Sequence, residues 1–216
     1  MLRILGRSTA INVIKVLWCV EELGLPFQRE DYGGPFGKIK EQPYLSLNPN
    51  GRVPTVIEDD GFVMWEGNSI IRYLTAKHDF GGLYPADLKQ RQLADRWLDW
   101  FTGIGAPAML PVFWTVVRMR PENNYAALPE GVDMLPPLNV ALVRLTQNMR
   151  VLDGELAKTP YPGGERLTMA DFGIGVIAYR WFNLDIERPE LPHLRAWYDR
   201  LTERPAYRKH VMIPLA

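Results

Sequence analysis

The chain has 216 residues, 25 Lys plus Arg against 25 Asp plus Glu, no formal net charge and 47% apolar residues. That length can bury a substantial core and allows one or two domains, while zero charge without a basic block speaks against nucleic acid or an anionic membrane as partner. A single cysteine, Cys19, excludes an intrachain disulfide or a CxxC pair, and with only three histidines no metal is expected, so any thiol chemistry must use a borrowed thiol.

Leu2 to Gly6 reads as a strand that begins at once, without room for a signal peptide, so the expected location is the cytoplasm. Charged residues interrupt every apolar run before membrane-spanning length, so no membrane is expected either. Val13, Val16, Leu17, Val20 and Leu23 recur at helical spacing before Gly24 and Pro26 end the helix. Phe27 to Tyr32 predicts a second strand, and the glycine-rich stretch from Gly33 to Gly37 an irregular surface loop. Pro54 to Glu58, a turn at Asp59-Asp60-Gly61, and Phe62 to Trp65 predict an antiparallel hairpin, with a helix from about Asn68 to Lys77. The order β-α-β, loop, β-β-α fits a thioredoxin-like sheet.

After Gly81 to Pro85 the pattern turns helical and stays so to Pro205, apart from an irregular stretch at 121–137. The expected organisation is therefore an α/β thioredoxin-like N-terminal domain over residues 1–80, a linker at 81–87 and an all-α helical C-terminal domain over 88–216. Trp97, Trp100, Phe101 and Ile104 form one apolar stripe facing a core or cleft, and Trp97 and Trp100 read as core. Thr168-Met169-Ala170-Asp171 reads as a structural capping box, and Cys19, on an apolar helix, as a buried small residue.

Four segments in this order resemble the cytosolic glutathione transferase superfamily, in particular its bacterial serine- and asparagine-type members. They are Asn12 to Trp18 with Glu21 to Pro26, Asn48 to Pro54, Trp65 to Leu74, and Leu167 to Phe172. The resemblance spans nearly the whole chain. It implies a cytoplasmic homodimer acting in detoxification, with glutathione as co-substrate and a small electrophile as second substrate.

The resemblance implies that Val53 offers its backbone N–H and C=O to the cysteinyl unit of glutathione, exposed by a cis bond at Pro54; the alternative is a plain loop-to-strand turn. Glu66 would pair with the ligand's ammonium, and the N–H of Gly67, beside Asn68 at a helix start, would take the γ-glutamyl carboxylate. The superfamily's serine is replaced there by Gly67. Otherwise Glu66 is an ordinary acidic residue of a first helical turn. Arg52 and Lys38 are candidates for the glycyl carboxylate, with a solvated loop charge as the alternative for Lys38.

Transfer requires glutathione as thiolate, and lowering a thiol pKa of about 8.5 by about two pH units takes about 2.7 kcal/mol of preferential stabilisation. Where serine- and threonine-type members carry a hydroxyl donor, this chain has Ala10. The remaining candidate donors are Asn12, then Thr9, then Ser8; alternatively these three cap the helix that follows. Phe101, Pro107, Trp114 and Arg118 are the expected co-substrate pocket, suited to an apolar or aromatic electrophile. Three functions stay open: conjugation of glutathione to an electrophile, glutathione-dependent disulfide reduction, and binding or regulation without chemistry.

Overall fold

The computed structural model describes residues 1–120, 128 and 132–215. Much of the predicted irregular stretch at 121–137 lies outside the described residues. Strand β1 (Leu2–Leu5), helix α1 (Ile11–Glu22) and strand β2 (Phe27–Glu30) form a β-α-β unit, followed by a short helix α2 (Gln42–Leu45). The hairpin strands β3 (Thr55–Ile57) and β4 (Val63–Trp65) lead into α3 (Gly67–His78).

The four strands form one sheet in the order β2-β1-β3-β4. β1 runs parallel to β2, with Leu2 opposite Phe27, and antiparallel to β3, with Ile4 opposite Val56. β3 and β4 pair antiparallel through Val56 and Met64. A parallel pair needs a crossover, and α1 supplies it. This is the thioredoxin-like architecture expected from the element order. β1 and β2 stop short of Gly6 and Tyr32, yet their backbones stay tied, with Gly6 N–H donating to the Glu30 carbonyl at 2.9 Å and Arg7 N–H to the Tyr32 carbonyl at 3.0 Å. A side chain at Gly6 would meet Val13 Cγ2 at 2.5 Å, so glycine lets the strand end pass close under α1.

The remaining elements are helical: α4 (Leu88–Trp100), α5 (Ala106–Phe113), α6 (Leu138–Leu156), α7 (Met169–Asn183), α8 (Pro192–Thr202) and α9 (Pro205–His210). α4 and α5 join through a π-helical turn at Phe101–Gly105, and a second follows α5 at Trp114–Arg118. Pro107 and Pro111 lack the N–H that an α-helix would direct at residues four earlier, a common setting for such turns. The first π turn also changes the phase of the predicted stripe: Trp97 and Phe101 are buried, whereas Ile104 is rotated outward and exposed.

The continuous helical stretch Leu88–Arg118 is long and apolar enough to cross a membrane, a length the charge pattern did not suggest; half of its most apolar window is buried inside the fold. Its α4 portion packs against α7.

α1 connects the sheet to the helices. Trp18 is fully buried, with edge contacts to Phe172 on α7 and Tyr207 on α9 at 4.8 Å between ring centroids. Gly175 admits that indole, because a Cβ there would lie 2.6 Å from Trp18 Cζ3. At the end of α1, Glu22 accepts Arg204 Nε at 2.8 Å and Nη2 at 2.6 Å, while Glu21 accepts Lys209 Nζ. The capping box forms: Asp171 Oδ2 accepts Thr168 N–H at 2.9 Å, Thr168 Oγ1 accepts Ala170 N–H, and Asp171 Oδ1 also accepts Trp197 Nε1 at 2.9 Å. Cys19 is buried, and burial pushes its thiol well above the ordinary value.

Candidate functional site

A cavity of about 680 Å³ lies between the N-terminal end of α1, the 52–53 loop, the start of α3 and the α4–α5 region. Of the residues singled out from sequence, Thr9, Asn12, Arg52, Val53, Glu66, Asn68, Phe101, Pro107, Trp114 and Arg118 line it. Ser8, Lys38, Pro54 and Gly67 do not: Ser8 and Lys38 are exposed, and Pro54 and Gly67 are buried behind the wall. Lys38 Nζ stands 5.0 Å over the Tyr32 ring.

Val53 sits in a loop held by a buried hydrogen-bond knot. Tyr44 Oη and Asn48 Nδ2 donate to the Arg52 carbonyl at 2.6 and 2.8 Å, and Thr55 Oγ1 donates to Tyr44 Oη at 2.9 Å. Gly51 turns the chain at φ +58°, with the Ile39 carbonyl oxygen 2.9 Å from where a Cβ would stand. The Val53-Pro54 peptide bond is cis. Among the described residues, no hydrogen bond uses the N–H or the C=O of Val53. A backbone segment with both groups open is a template for pairing with a peptide.

Ala10 is the N-cap of α1, with an extended backbone and no side-chain hydrogen bond to the first turn. Ser8, Thr9 and Asn12 therefore do not cap this helix, and among the described residues no side chain accepts from its first-turn N–H groups. Such a helix end attracts negative charge. Asn12, exposed on that first turn, reaches the same cavity.

Glu66 caps α3 at φ +68°, a left-handed conformation unusual for glutamate and a mark of constrained functional backbone. The Asn68 amide is used internally: Oδ1 accepts Lys15 Nζ at 2.6 Å, while Nδ2 donates to Thr102 Oγ1 at 2.9 Å and to the Leu98 carbonyl. It thereby ties α3 to α1 and to the α4 end. Arg72 of α3 adds contacts with Asp95 and Asp99 at 2.5 and 2.6 Å.

Lys15, Arg7 and Arg180 were not among the residues singled out from sequence, yet all three line the cavity. Lys15 is 2% exposed, with Nζ 3.9 Å above the Phe101 ring; burial lowers its pKa to about 7, against a smaller raising effect of Glu66. Gly67 abuts it, since an added Cβ would fall 2.5 Å from Lys15 Cε. Arg180 on α7 and Arg118 are 8% and 4% exposed, with their guanidinium carbons 3.9 and 5.5 Å from the Phe113 ring. Burial lowers Arg180 to about 9 and Arg118 to about 10, helped by repulsion from neighbouring arginines, and both remain cationic at neutral pH. The available signal was a lone cation inside an apolar helical run: Lys15 in Val13 to Val20, and Arg180 in Phe172 to Trp181.

The description "Glutathione S-transferase, N-terminal domain" matches residues 12–77, and "Glutathione S-transferase, C-terminal domain" matches residues 122–200. The chain is 33% identical to glutathione S-transferase GstB of Escherichia coli K12 over 217 residues, covering 100% of both chains. It is 31% identical to the glutathione S-transferase-like protein OpS6 of Beauveria bassiana, over 92% of this chain and 88% of that one. The glutathione-bound structure of the theta class glutathione S-transferase from Xanthomonas axonopodis pv. citri superposes with a TM-score of 0.89 at 42% identity, covering 100% of this chain and 99% of that one.

Proposed function

Starting from a chain that belongs to the glutathione S-transferase family, we propose that it binds glutathione in the α1–α3 part of this cleft and transfers the thiolate sulfur to a small electrophile with an apolar or aromatic body. The observation that carries the reading is the uncapped N-terminus of α1, open beside the unpaired backbone of Val53.

In this reading the cysteinyl unit pairs with the N–H and C=O of Val53, next to cis Pro54, which brings its sulfur to the first turn of α1. There the helix N–H groups and the Asn12 amide, with the Thr9 hydroxyl as second donor, stabilise the thiolate. Ser8, outside the cavity wall, has the weakest claim to that role. Glu66 holds the ligand's ammonium, and Gly67 N–H takes the γ-glutamyl carboxylate. Lys15 Nζ, packed against Gly67, supplies a cationic donor where the superfamily has a serine hydroxyl; the overlap of any residue-67 side chain with Lys15 supports this exchange. Asn68 positions Lys15 through its 2.6 Å hydrogen bond. Arg52 takes the glycyl carboxylate, with Lys38 as an outer charge. Phe101, Pro107 and Trp114, with Arg118 beyond them, receive the electrophile.

The thiolate sulfur forms a bond to the electrophilic carbon, and the leaving group departs with its bonding electrons; the thiol proton goes to solvent. The protein contributes proximity and preorganised donors. Glutathione serves as co-substrate, and no step calls for a metal. The family resemblance further proposes a cytoplasmic, detoxifying homodimer, its association state measurable by sedimentation.

The test is the pKa of the bound glutathione thiol, read by thiolate absorbance in the parent and in Asn12→Ala, Thr9→Ala and Ser8→Ala. A value well below 8.5, raised again chiefly by Asn12→Ala, is the expected outcome; an unshifted parent value sinks the enzyme reading. Product analysis then separates a thioether conjugate from glutathione disulfide.

A further inference from the structure

We propose that the cleft's second subsite is an anion subsite formed by Arg7 and Arg180, and that the electrophile it accepts is an aromatic molecule bearing a carboxylate or similar planar oxyanion. The inference rests on the transferase reading and names the substrate class of its second site.

Charge distribution is the first ground. The chain as a whole is neutral, yet its cleft is lined by Arg7, Lys15, Arg52, Arg118 and Arg180 against one carboxylate, Glu66, among the described residues. Glutathione brings one ammonium for Glu66 and two carboxylates, which Lys15 and Arg52 satisfy at the α3 and loop ends. Among the described residues, no acidic partner is then left for Arg7 or Arg180.

Geometry is the second ground. Arg118 and Arg180 share one aromatic platform, Phe113, and Arg180 is buried without an acidic partner among the described residues. Arg7 lies across the Gly33–Gly34 backbone, where a Cβ on Gly34 would come 3.1 Å from its Cδ, Nε and Cζ. Its Nε is buried with no hydrogen-bond partner among the described residues. Burying a cation is costly unless an anion joins it; burial, and after it repulsion from Arg118 and Arg7, lowers the pKa of Arg180, and an oxyanion held between planar guanidinium forks relieves both. Phe101, Leu110, Phe113 and Trp114 supply the apolar wall for the ring that carries this group.

A matched pair of aryl chlorides tests the idea: 4-chloro-3-nitrobenzoate and 4-chloro-3-nitrobenzamide. In each, the thiolate sulfur bonds to the chlorine-bearing ring carbon and chloride leaves with the bonding pair. After division by the uncatalysed rates, kcat/KM for the benzoate should exceed that for the benzamide at least tenfold. That ratio should fall at least tenfold in Arg180→Gln and in Arg7→Gln. A parent ratio near one, or a ratio unchanged in both variants, overturns the proposal; the latter would mean that the arginines serve the thiolate or the fold.

A binding measurement needs neither turnover nor a variant. Calorimetry on the glutathione-loaded parent should find 3-nitrobenzoate bound at least tenfold tighter than 3-nitrobenzamide, and equal affinities overturn the proposal. If neither chloride is conjugated while the benzoate preference in binding persists, the transferase reading fails and the anion subsite stands.

Discussion

Gly67 and Lys15 occupy each other's space: a Cβ on Gly67 would lie 2.5 Å from Lys15 Cε and 3.2 Å from Nζ. The two positions therefore make one choice, a long buried cation behind a bare backbone. Gly67→Ser alone should displace Lys15, weaken glutathione binding at least tenfold and cost about 1–3 kcal/mol of stability. Combining it with Lys15→Ala should recover much of the stability, so that a double-mutant cycle read by chemical denaturation gives a coupling well above 0.5 kcal/mol. Additive effects would separate the two residues.

The buried amine also predicts proton linkage. With its pKa lowered to about 7, Lys15 is mostly neutral at pH 8 in the free protein, and a carboxylate docking beside it favours the ammonium form. Binding of S-methylglutathione, which has no thiol proton to release, should take up more protons at pH 8 in the parent than in Lys15→Met, and the difference should vanish near pH 6. Binding enthalpies in buffers of different ionisation enthalpy measure it.

Asp171 gives a pH dependence of stability. Burial raises its carboxyl pKa to about 7, outweighing the hydrogen bonds from Thr168 and Trp197, whereas an unfolded aspartate titrates near 3.9. The folded chain thus holds the proton more tightly, so this residue's contribution to stability is full below about pH 4 and declines as pH rises towards 7. The slope is at most about 1.4 kcal/mol per pH unit. Relative to Asp171→Asn, the parent should lose unfolding free energy across that window. The variant itself should be less stable, because one of two accepting oxygens becomes an N–H donor facing a donor. Urea unfolding at several pH values checks both statements.

Gly51→Ala should raise KM for glutathione more than it lowers kcat. The new methyl would press on the Ile39 carbonyl at 2.9 Å, and the φ of +58° disfavours alanine, so the loop carrying Val53 must shift. Steady-state kinetics with glutathione as the varied substrate give the split; an unchanged KM would detach the loop from binding.

The element order was legible in the sequence because its signals are local: two apolar runs around the Asp59-Asp60-Gly61 turn in the hairpin, helical spacing in α1, and the capping box before α7. Four ordered segments likewise carried the family. What stayed hidden depends on distant partners. Lys15 reads as one turn of an apolar helix until Gly67 and Phe101 close around it, and Arg180 acquires a role only when α7 brings it to Phe113. Asn68 looked like a ligand-facing first-turn residue, but its amide is taken by Lys15, Leu98 and Thr102, 53, 30 and 34 positions away along the chain. The π turn at Phe101–Gly105 escaped because a one-residue phase change leaves composition untouched and only redirects Ile104.

The seating of Trp18 against Gly175 bears on modularity. α1 forms one wall of the cleft with its first turn and, with the other end of the same rod, is clamped to α7 and α9 through Trp18, Glu21 and Glu22. The two halves are therefore not interchangeable parts. A chimera that takes its helical half from a relative with a bulkier residue at the Gly175 position would tilt this rod and misalign its first turn in the cleft, although every residue of that turn came from the original chain.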